Sequence, residues 1–381
     1  MREDKIALIC VIAKYARPWQ EESTQSCRNF ALRRIFFVRF CQPAVHPATL
    51  YADMGRAKRH QGAREDGNLS VKARLTCIAS MAIIAALFSI SIRYVRDFWL
   101  LAFVNSFQLH LAVLAALACI ICFFVLRSRL FVALLAWSLV LAAHAVSMQY
   151  DFVTDRQYPA GAKPFRLMSF NVLRENRRSA ESIADAILSS QADVVYIMEA
   201  AALRSVLPRL QQTYPYRLGC GAGTASCDLL MLSKRPLRNA RIGTLSYVSP
   251  ERAGFAQIDL DGVTLNLAQV HLTKPYFDEN HGEELLNLSY VLRNMKGPVI
   301  LGGDFNSASV VPDMRRFMEN VELEKVSWEP ATWPIKAGRF GIAIDHVFAR
   351  KPATLISVQR MPNNLGSNHY GLTADFMIAA Q

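Results

Sequence analysis

Apolar residues are arranged in two different ways along the chain. Between residues 75 and 148 charged residues nearly disappear, and uncharged stretches cover residues 75–92, 98–126 and 130–148. Because about 20 consecutive apolar residues cross a bilayer as a helix, this pattern predicts three transmembrane helices. After residue 164, short apolar runs alternate with polar turns and amphipathic stretches, which is typical of a folded domain outside the bilayer.

Only Arg127, Ser128 and Arg129 separate the second and third uncharged stretches, which predicts a tight helical hairpin. A cleavable signal peptide fits poorly, because there are three segments, they are too long, and no small-residue cleavage site follows the first. The alternative is a buried helical core of a soluble protein. Three adjacent charge-free segments are difficult to place in such a core, so we expect membrane helices.

The distribution of charge indicates how these helices are oriented. The formal net charge is +12, and residues 1–74 form a basic N-terminal tail with 14 Lys and Arg against seven Asp and Glu. Since Lys and Arg favour the cytoplasmic side, the tail and the arginines of the hairpin indicate a cytoplasmic N-terminus, although Arg93 and Arg96 lie on the other side. Three crossings, over residues 75–148, then place the remainder outside the cytoplasm.

The remainder of the chain divides into a linker and a domain. Pro159, Gly161 and Pro164 mark residues 149–164 as the linker, and residues 165–380 are the expected domain. The apolar runs predict strands at residues 165–170, 194–198, 255–260, 263–270, 299–301, 342–348 and 372–378.

The connections between these strands indicate the fold class. Asp261-Gly262 between two of the runs predicts a β-hairpin. Ser179 is placed to cap a helix, and residues 283–295 have apolar positions at helical spacing. Strands joined by hairpins and strands joined by helices together predict mixed sheets covered by helices, an α/β (α+β) sandwich.

Polar side chains lie at or just after the ends of most predicted strands, while Asp345 lies within the strand at residues 342–348 and Asn368 and His369 lie just before the last strand. Together these side chains are Asn171, Glu199, His271, Asp304, Asn306, Asp345, Asn368 and His369. A single such residue usually caps a helix or a turn, but six strands with this feature imply that the side chains converge on one sheet edge.

The residue types at these positions favour one kind of chemistry. Carboxylates such as Glu199 and Asp304 suit Mg²⁺, which prefers hard oxygen ligands together with water and substrate phosphate. Histidines can exchange protons with a phosphoryl oxygen or with water. No cysteine lies among them and the chain has no P-loop motif, which disfavours a structural zinc site and a P-loop nucleotide site.

Six short motifs in this order resemble the endonuclease/exonuclease/phosphatase (DNase I-like) superfamily, which includes nucleases, sphingomyelinases and inositol polyphosphate phosphatases. The motifs are SFNVL (169–173), DVVYIME (193–199), VHL (270–272), GGDFN (302–306), IDHV (344–347) and SNHYGL (367–372). The apolar helices before the domain further resemble a bacterial membrane-anchored subgroup. This resemblance implies a four-layer sandwich of two β-sheets flanked by helices, at a bacterial inner (plasma) membrane.

The resemblance also implies roles for single residues. Glu199 would be the main ligand of Mg²⁺ or Mn²⁺, assisted by Asn171. Asp304 would orient or deprotonate the attacking water, with Asn306 beside it.

The two histidines complete the implied site. His271 and His369 would contact the scissile phosphate, and Asp345 would pair with His369. The implied reaction is in-line attack of water on phosphorus, and the enzyme would be a divalent-metal-dependent hydrolase of phosphate esters.

One position departs from the family pattern. The last motif normally reads Ser-Asp-His, and this chain has Asn368 where that aspartate helps to hold the metal or its water. Because Asn supplies no negative charge, the alternative to an active enzyme is a catalytically impaired binding module of the same fold.

Cys220 and Cys227 are the two cysteines of the domain, and they lie in a glycine-rich loop. A location outside the cytoplasm permits a disulfide between them. The alternative is two free, partly buried thiols.

The expected partners follow from these assignments. The substrate is a phosphate ester, with nucleic acid, a lipid headgroup and a small phosphodiester all left open. Residues 151–381 carry 25 Lys and Arg against 23 Asp and Glu, so the domain's charge does not demand nucleic acid. Membrane lipid surrounds the N-terminal helices, and the sequence indicates no obligate protein partner.

Overall fold

A group of apolar helices begins the part of the chain that the computed structural model describes, residues 70–379. Most of the predicted N-terminal tail lies outside these residues. Helix α1 (Val71–Ser91) is followed by the short α2 (Ala102–Ser106), and then by α3 (Gln108–Leu126) and α4 (Leu130–Ser147). Three of these helices, α1, α3 and α4, are long and apolar enough to cross a membrane.

The second uncharged stretch is not one continuous helix. After extended backbone at Phe98, residues Trp99–Leu101 form a 3₁₀ helix that leads into α2, and the chain bends at Phe107 before α3 begins. Asn105, Ser106 and Gln108 are buried around this bend. Gln108 Nε2 donates to the carbonyl oxygen of Leu141 at 3.2 Å, and Ser106 Oγ accepts a hydrogen bond from the backbone N–H of Ala308 at 3.3 Å, so two of these polar groups bond to other parts of the chain.

The predicted helical hairpin between α3 and α4 is confirmed. Arg127 ends α3 in the left-handed conformation, and Arg129 precedes α4 directly. Buried apolar residues of α1, α3 and α4 pack into one cluster that includes Leu87, Ala115 and Leu134.

The segment expected to be a linker is partly docked against the domain. The backbone N–H of Thr154 donates to the carbonyl of Lys325 at 2.9 Å, and Val153 forms an isolated bridge with Lys325. The first strand begins at Lys163, within the range assigned to the linker.

The domain alternates strands and helices along the chain. In chain order they are β1 (Lys163–Asn171), α5 (Ala180–Ser189), β2 (Val194–Met198), α6 (Leu207–Gln211), β3 (Tyr216–Gly219), β4 (Leu229–Ser233), β5 (Arg238–Gly243), β6 (Ala253–Leu260), β7 (Val263–His271), α7 (Asn280–Arg293), β8 (Val299–Asp304), α8 (Pro312–Val321), β9 (Asp345–Arg350), β10 (Ala353–Arg360) and β11 (Leu372–Ile378).

These strands form two mixed sheets. One has the order β10-β11-β1-β2-β4-β3, and the other has the order β5-β6-β7-β8-β9. Residues such as Leu167, Tyr196 and Ile300 fill the space between the sheets. Helices α5 and α6 cover the outer face of the first sheet, and α7 and α8 cover that of the second. The predicted four-layer sandwich is therefore confirmed.

The predicted hairpin at Asp261-Gly262 is also confirmed, with Leu260 paired to Val263 across the turn. Asp261 and Gly262 both have positive φ angles, as a tight two-residue hairpin turn requires. The predicted strand over residues 342–348 was placed too early, because β9 begins at Asp345. Ile342 instead exchanges backbone hydrogen bonds with Trp333 in the preceding loop.

The polar strand ends converge, but not on the edge of one sheet as expected. Asn171 and Glu199 belong to the first sheet, whereas His271, Asp304 and Asp345 belong to the second. The sheets face each other, so their corresponding ends meet over the central core.

Candidate active site

The register of the second sheet places three of the predicted site residues side by side on neighbouring strands. In the second sheet, His271 of β7 pairs with Asp304 of β8, and Asp304 pairs with Asp345 of β9. Gly303 permits this arrangement, because its φ is +146° and a Cβ there would lie 1.9 Å from the carbonyl oxygen of Val270. Any side chain at this position would therefore push β7 and β8 apart.

Asp304 lies at the centre of the cluster and is almost fully buried. Its Oδ2 accepts a hydrogen bond from Asn171 Nδ2 at 2.9 Å, and its Oδ1 accepts one from the backbone N–H of Asn306 at the same distance. The Nε2 atoms of His271 and His369 lie 3.9 Å and 3.7 Å from Oδ2. One carboxylate thus faces both histidines.

His369 is held by a second carboxylate behind it. Its Nδ1 lies 2.7 Å from Asp345 Oδ2. Burial alone would lower the pKa of His369, but the negative charges of Asp345 and Asp304 outweigh it and raise the pKa to about 9. The two carboxylates therefore favour the charged form of the ring.

His271 has an equivalent partner that the sequence interpretation missed. Its Nδ1 lies 2.8 Å from Asp228 Oδ2, while Arg174 and Arg252 approach the same carboxylate at 3.1 Å and 3.6 Å. Burial would raise the pKa of Asp228, but its hydrogen bond and attraction to His271 and the two arginines lower it. The signal was present in the sequence, since Asp228 directly precedes the apolar run Leu229–Ser233.

Glu199 stands on the other side of Asp304 and is half-buried. It follows β2 in the left-handed conformation, with a φ of 56°. Its Oε2 accepts a hydrogen bond from the backbone N–H of Arg174 at 2.9 Å, and its Oε1 accepts one from Asn171 Nδ2 at 3.2 Å. Asn171 therefore donates to the carboxylates of both Glu199 and Asp304 and holds them side by side.

The side chains of the site surround one cavity of about 90 Å³. Six residues predicted from the strand ends line it: Glu199, His271, Asp304, Asn306, Asn368 and His369. Asn171 and Asp345 lie behind this wall in contact with its members. Lys274, Tyr276 and Trp333 also line the cavity, and Asn368 is exposed at its surface.

The donor set fits a divalent cation. Within residues 70–379, no side-chain nitrogen of Lys or Arg lies within 4 Å of the carboxylates of Glu199, Asp304 and Asp345, and the ionisable side chains beside Asp304 and Asp345 are histidines. One buried oxygen, Asp345 Oδ1, has no hydrogen-bond partner. Carboxylates without Lys or Arg partners beside a small polar cavity suit Mg²⁺, which binds through one or two carboxylates together with water.

The closest group of potential ligand atoms is not the group predicted for the metal. Asp304, Asp345 and His369 offer atoms within 4.8 Å of one another. However, His369 Nδ1 and Asp345 Oδ2 are at hydrogen-bond distance and share a proton, and Mg²⁺ prefers oxygen to nitrogen. Glu199, the predicted ligand, is half-buried and lines the same cavity.

A disulfide joins Cys220 to Cys227 in the loop between β3 and β4. The loop is also closed by a hydrogen bond from the backbone N–H of Cys220 to the carbonyl of Ser226 at 2.9 Å. Because Cys227 directly precedes Asp228, the disulfide lies next to the carboxylate that orients His271.

Comparison with known proteins identifies the family to which the domain belongs. A model of the Endonuclease/Exonuclease/phosphatase family matches residues 168–369, just over half of the chain. A UPF0294 protein of Vibrio campbellii (strain ATCC BAA-1116) is 25% identical to this chain over 236 residues. One of Vibrio parahaemolyticus serotype O3:K6 is 25% identical to it over 233 residues. These matches cover 56% of this chain and 78% and 77% of the relatives.

Solved structures resemble the domain as well. D. rerio TDP2, complexed with single strand DNA product, is 18% identical with a TM-score of 0.47, and the match covers 56% of this chain and 99% of that chain. Sphingomyelinase C from Streptomyces griseocarneus is 16% identical with a TM-score of 0.43, covering 57% and 100%. A beta toxin mutant from Staphylococcus aureus with bound magnesium ions is 16% identical with a TM-score of 0.42, covering 56% and 99%.

Proposed function

Because the chain belongs to the endonuclease/exonuclease/phosphatase family, we propose that it is a membrane-anchored, divalent-metal-dependent hydrolase of phosphate esters. The observation that carries this proposal is the set of side chains around one cavity. Two histidines, each fixed by its own carboxylate, face the shared carboxylate Asp304, and Glu199 lies beside it.

The histidines suit the phosphate group. Asp345 fixes the orientation of the His369 ring, whose Nε2 lies 3.7 Å from Asp304 Oδ2 at the cavity. Asp228 fixes His271 in the same way. His369 can donate a hydrogen bond from Nε2 to a phosphoryl oxygen and stabilise the negative charge that develops there during reaction, and His271 Nε2 lies close by, where it can exchange a proton.

Asp304 suits the attacking water. The backbone N–H of Asn306 and the amide of Asn171 hold its carboxylate in place, so it can accept a proton as the water oxygen attacks phosphorus. The ester P–O bond opposite the water breaks, and the leaving alcohol takes a proton from solvent or from a histidine. Glu199, with Asn171 behind it and Asn368 at the mouth, would hold Mg²⁺ or Mn²⁺, which supplies neutralisation of phosphoryl charge.

A second candidate function rests on Asn368. Replacement of the expected aspartate removes one negative charge from the mouth of the cavity, so a protein that binds phosphate esters without hydrolysing them is the alternative. The two functions differ in one measurable property, which is turnover.

The experiment uses the full chain purified in detergent. It is incubated with Mg²⁺ or Mn²⁺ and bis-p-nitrophenyl phosphate, and the release of p-nitrophenol is followed. We expect turnover that Glu199→Gln and His369→Asn each lower by at least about 10²-fold. Glu181→Gln on the exposed surface of α5 is the matched control. Absence of turnover in the parent protein across both metals would favour the binding module.

We also infer that the domain lies outside the cytoplasm of a bacterial cell, at the inner membrane. The basic N-terminal tail and the arginines between α3 and α4 lie on the side of the membrane opposite to the domain. Their positive charge favours a cytoplasmic location for that side. An alkaline phosphatase fusion at the C-terminus should be active, and a green fluorescent protein fusion there should be dark. The reverse result would contradict this orientation.

A further inference from the structure

A second cavity lies between helix α3 and the loop that precedes β9, and it is larger than the first. Its volume is about 480 Å³, within the usual range for a small-molecule site. The lining is mainly apolar and includes Leu109, Val113, Ala331 and Ala343. Ser106 and Ile342 line both this cavity and the catalytic one, so the two spaces adjoin.

One wall of this second cavity continues onto the membrane-facing surface of α3. Val113 and Leu114 line the cavity and are 43% and 61% exposed on a helix that is long and apolar enough to span a bilayer. In a membrane those exposed surfaces contact hydrocarbon chains. The cavity is therefore open to the apolar part of the bilayer on this side.

The catalytic domain is bonded directly to the membrane helices at this place. His110 Nε2 lies 2.9 Å from the carbonyl oxygen of Phe340, and Arg93 Nη2 donates to the carbonyl oxygen of Val310 at 2.7 Å. The backbone N–H of Ala308 also donates to Ser106 Oγ at 3.3 Å. These contacts hold the catalytic cavity at a defined position next to the membrane.

The membrane region even supplies part of the catalytic wall. Phe103 and Ser106 of α2 line the catalytic cavity together with Glu199 and His271. The ring of Phe103 packs edge-to-face against Tyr276 with centroids 5.5 Å apart. A substrate that reaches the catalytic cavity therefore touches residues of the membrane region.

We propose that the substrate is a membrane lipid phosphoester. Its phosphate group occupies the catalytic cavity, and its hydrocarbon chain occupies the second cavity and continues into the bilayer along Val113 and Leu114. This inference rests on the proposed function, because it assigns a substrate class to the same hydrolytic site.

The distribution of charge favours lipid over nucleic acid. Affinity for nucleic acid comes largely from several Lys or Arg contacts to phosphates. Of the residues that line the two cavities, only Lys274 and Arg339 are Lys or Arg. Two basic side chains are enough to bind one lipid headgroup. The mainly apolar second cavity contributes only one of them, Arg339, that could bind the phosphates of a nucleic-acid backbone.

The test compares two substrates that share the scissile bond. The full chain in detergent micelles is given p-nitrophenyl methyl phosphate or p-nitrophenyl hexadecyl phosphate, and kcat/KM is measured for each. We expect the long-chain ester to be preferred by at least about tenfold, since burial of even two methylenes accounts for that factor. A single-stranded oligonucleotide is assayed in parallel.

Variants show whether the second cavity is responsible. Val113→Trp and Ala343→Phe fill it from opposite walls, and each should lower the preference for the long-chain ester by about tenfold. Leu117→Trp is the matched control, because Leu117 lies one turn further along α3, is 52% exposed and does not line the cavity. It should keep the parent preference.

The possible results separate this inference from the function on which it rests. Equal rates for the two esters in the parent protein, or a preference that both cavity variants keep, would overturn the lipid assignment while hydrolysis stands. Faster cleavage of the oligonucleotide than of the long-chain ester would overturn it in favour of nucleic acid. Failure to hydrolyse any of the substrates would contradict the proposed function and this inference with it.

Discussion

His369 Nδ1 lies 2.7 Å from Asp345 Oδ2, and both side chains are almost completely buried. The pair stands behind the cavity that Glu199, His271 and Asp304 line, where the negative charge of Asp345 contributes to raising the pKa of His369 to about 9. In the proposed reaction Asp345 is a positioning residue, since it would act on the phosphate through the imidazole ring.

The first prediction concerns this pair. Asp345→Asn retains the shape of the side chain but removes its charge, so the imidazolium form of His369 is stabilised less, by Asp304 without Asp345. We expect kcat for a phosphodiester to fall by roughly 10²-fold, while KM and the half-saturating Mg²⁺ concentration change much less. A comparable rise in KM with constant kcat would indicate that the pair serves binding instead.

The second prediction concerns the partner of His271. Asp228→Asn should also lower kcat by roughly 10²-fold, because His271 loses the carboxylate that orients it and Arg174 loses its ion-pair partner. Asp261→Asn, an exposed aspartate paired with Arg235 at the β6–β7 turn, is the matched control. Retention of full activity in Asp228→Asn would remove His271 from the site as described.

The third prediction concerns the disulfide. Reduction of Cys220–Cys227 frees the loop that ends at Asp228, so we expect kcat to fall by about tenfold without loss of the fold. Dithiothreitol should lower the activity of the parent protein but have no further effect on the double variant Cys220→Ser/Cys227→Ser. Equal sensitivity of both proteins would mean that the reagent acts elsewhere.

The fourth prediction concerns Asn368. Asn368→Asp adds a carboxylate at the mouth of the cavity, and affinity for a divalent cation increases with the number of charged ligands. The half-saturating Mg²⁺ concentration in the hydrolysis assay should therefore fall several-fold. An unchanged value would place the cation away from this residue.

The fifth prediction concerns stability and pH. His281 Nδ1 lies 3.0 Å from Asp313 Oδ2, which ties the first turn of α7 to that of α8. Burial alone would lower the pKa of His281 and raise that of Asp313, but the hydrogen bond and attraction between them raise the first and lower the second. His281→Asn should lower the free energy of unfolding by about 2 kcal/mol.

The sign of this effect with pH follows from the two shifts. The contribution of His281 is complete below its unfolded pKa of about 6.5 and is lost as pH rises through its higher folded value, whereas that of Asp313 is complete above about 3.9. Thermal unfolding in detergent should therefore separate parent and variant most between about pH 4 and pH 6.5. A difference that grows toward alkaline pH would contradict this assignment. Arg209→Gln, in an exposed ion pair, is the control.

Much of the site could be predicted from the sequence because each strand end carries its own local signal. A buried apolar run followed by Asn, Glu, His or Asp marks Asn171, Glu199, His271 and Asp304 without knowledge of the sheet order. Asp228 has the same signal at the start of its strand, and it was missed because β4 is short and its apolar run has no period that separates strand from helix.

Other features depend on tertiary contacts that local patterns do not carry. Strand β5 (Arg238–Gly243) has no fully buried position, so no alternation of apolar and polar residues marks it. The division of the polar residues between two facing sheets follows from strand order rather than from any single segment. The contact of α2 with the catalytic cavity likewise joins residues that are more than 90 positions apart.

The most direct test of the central claim follows the oxygen of the attacking water. The full chain, with Mg²⁺, hydrolyses p-nitrophenyl methyl phosphate in water enriched in ¹⁸O, and the products are analysed by mass spectrometry. The account predicts one ¹⁸O atom in methyl phosphate, none in p-nitrophenol, no product when a chelator is present, and a rate lower by at least about 10²-fold in His369→Asn. Label in p-nitrophenol, or no product under any of these conditions, would contradict it.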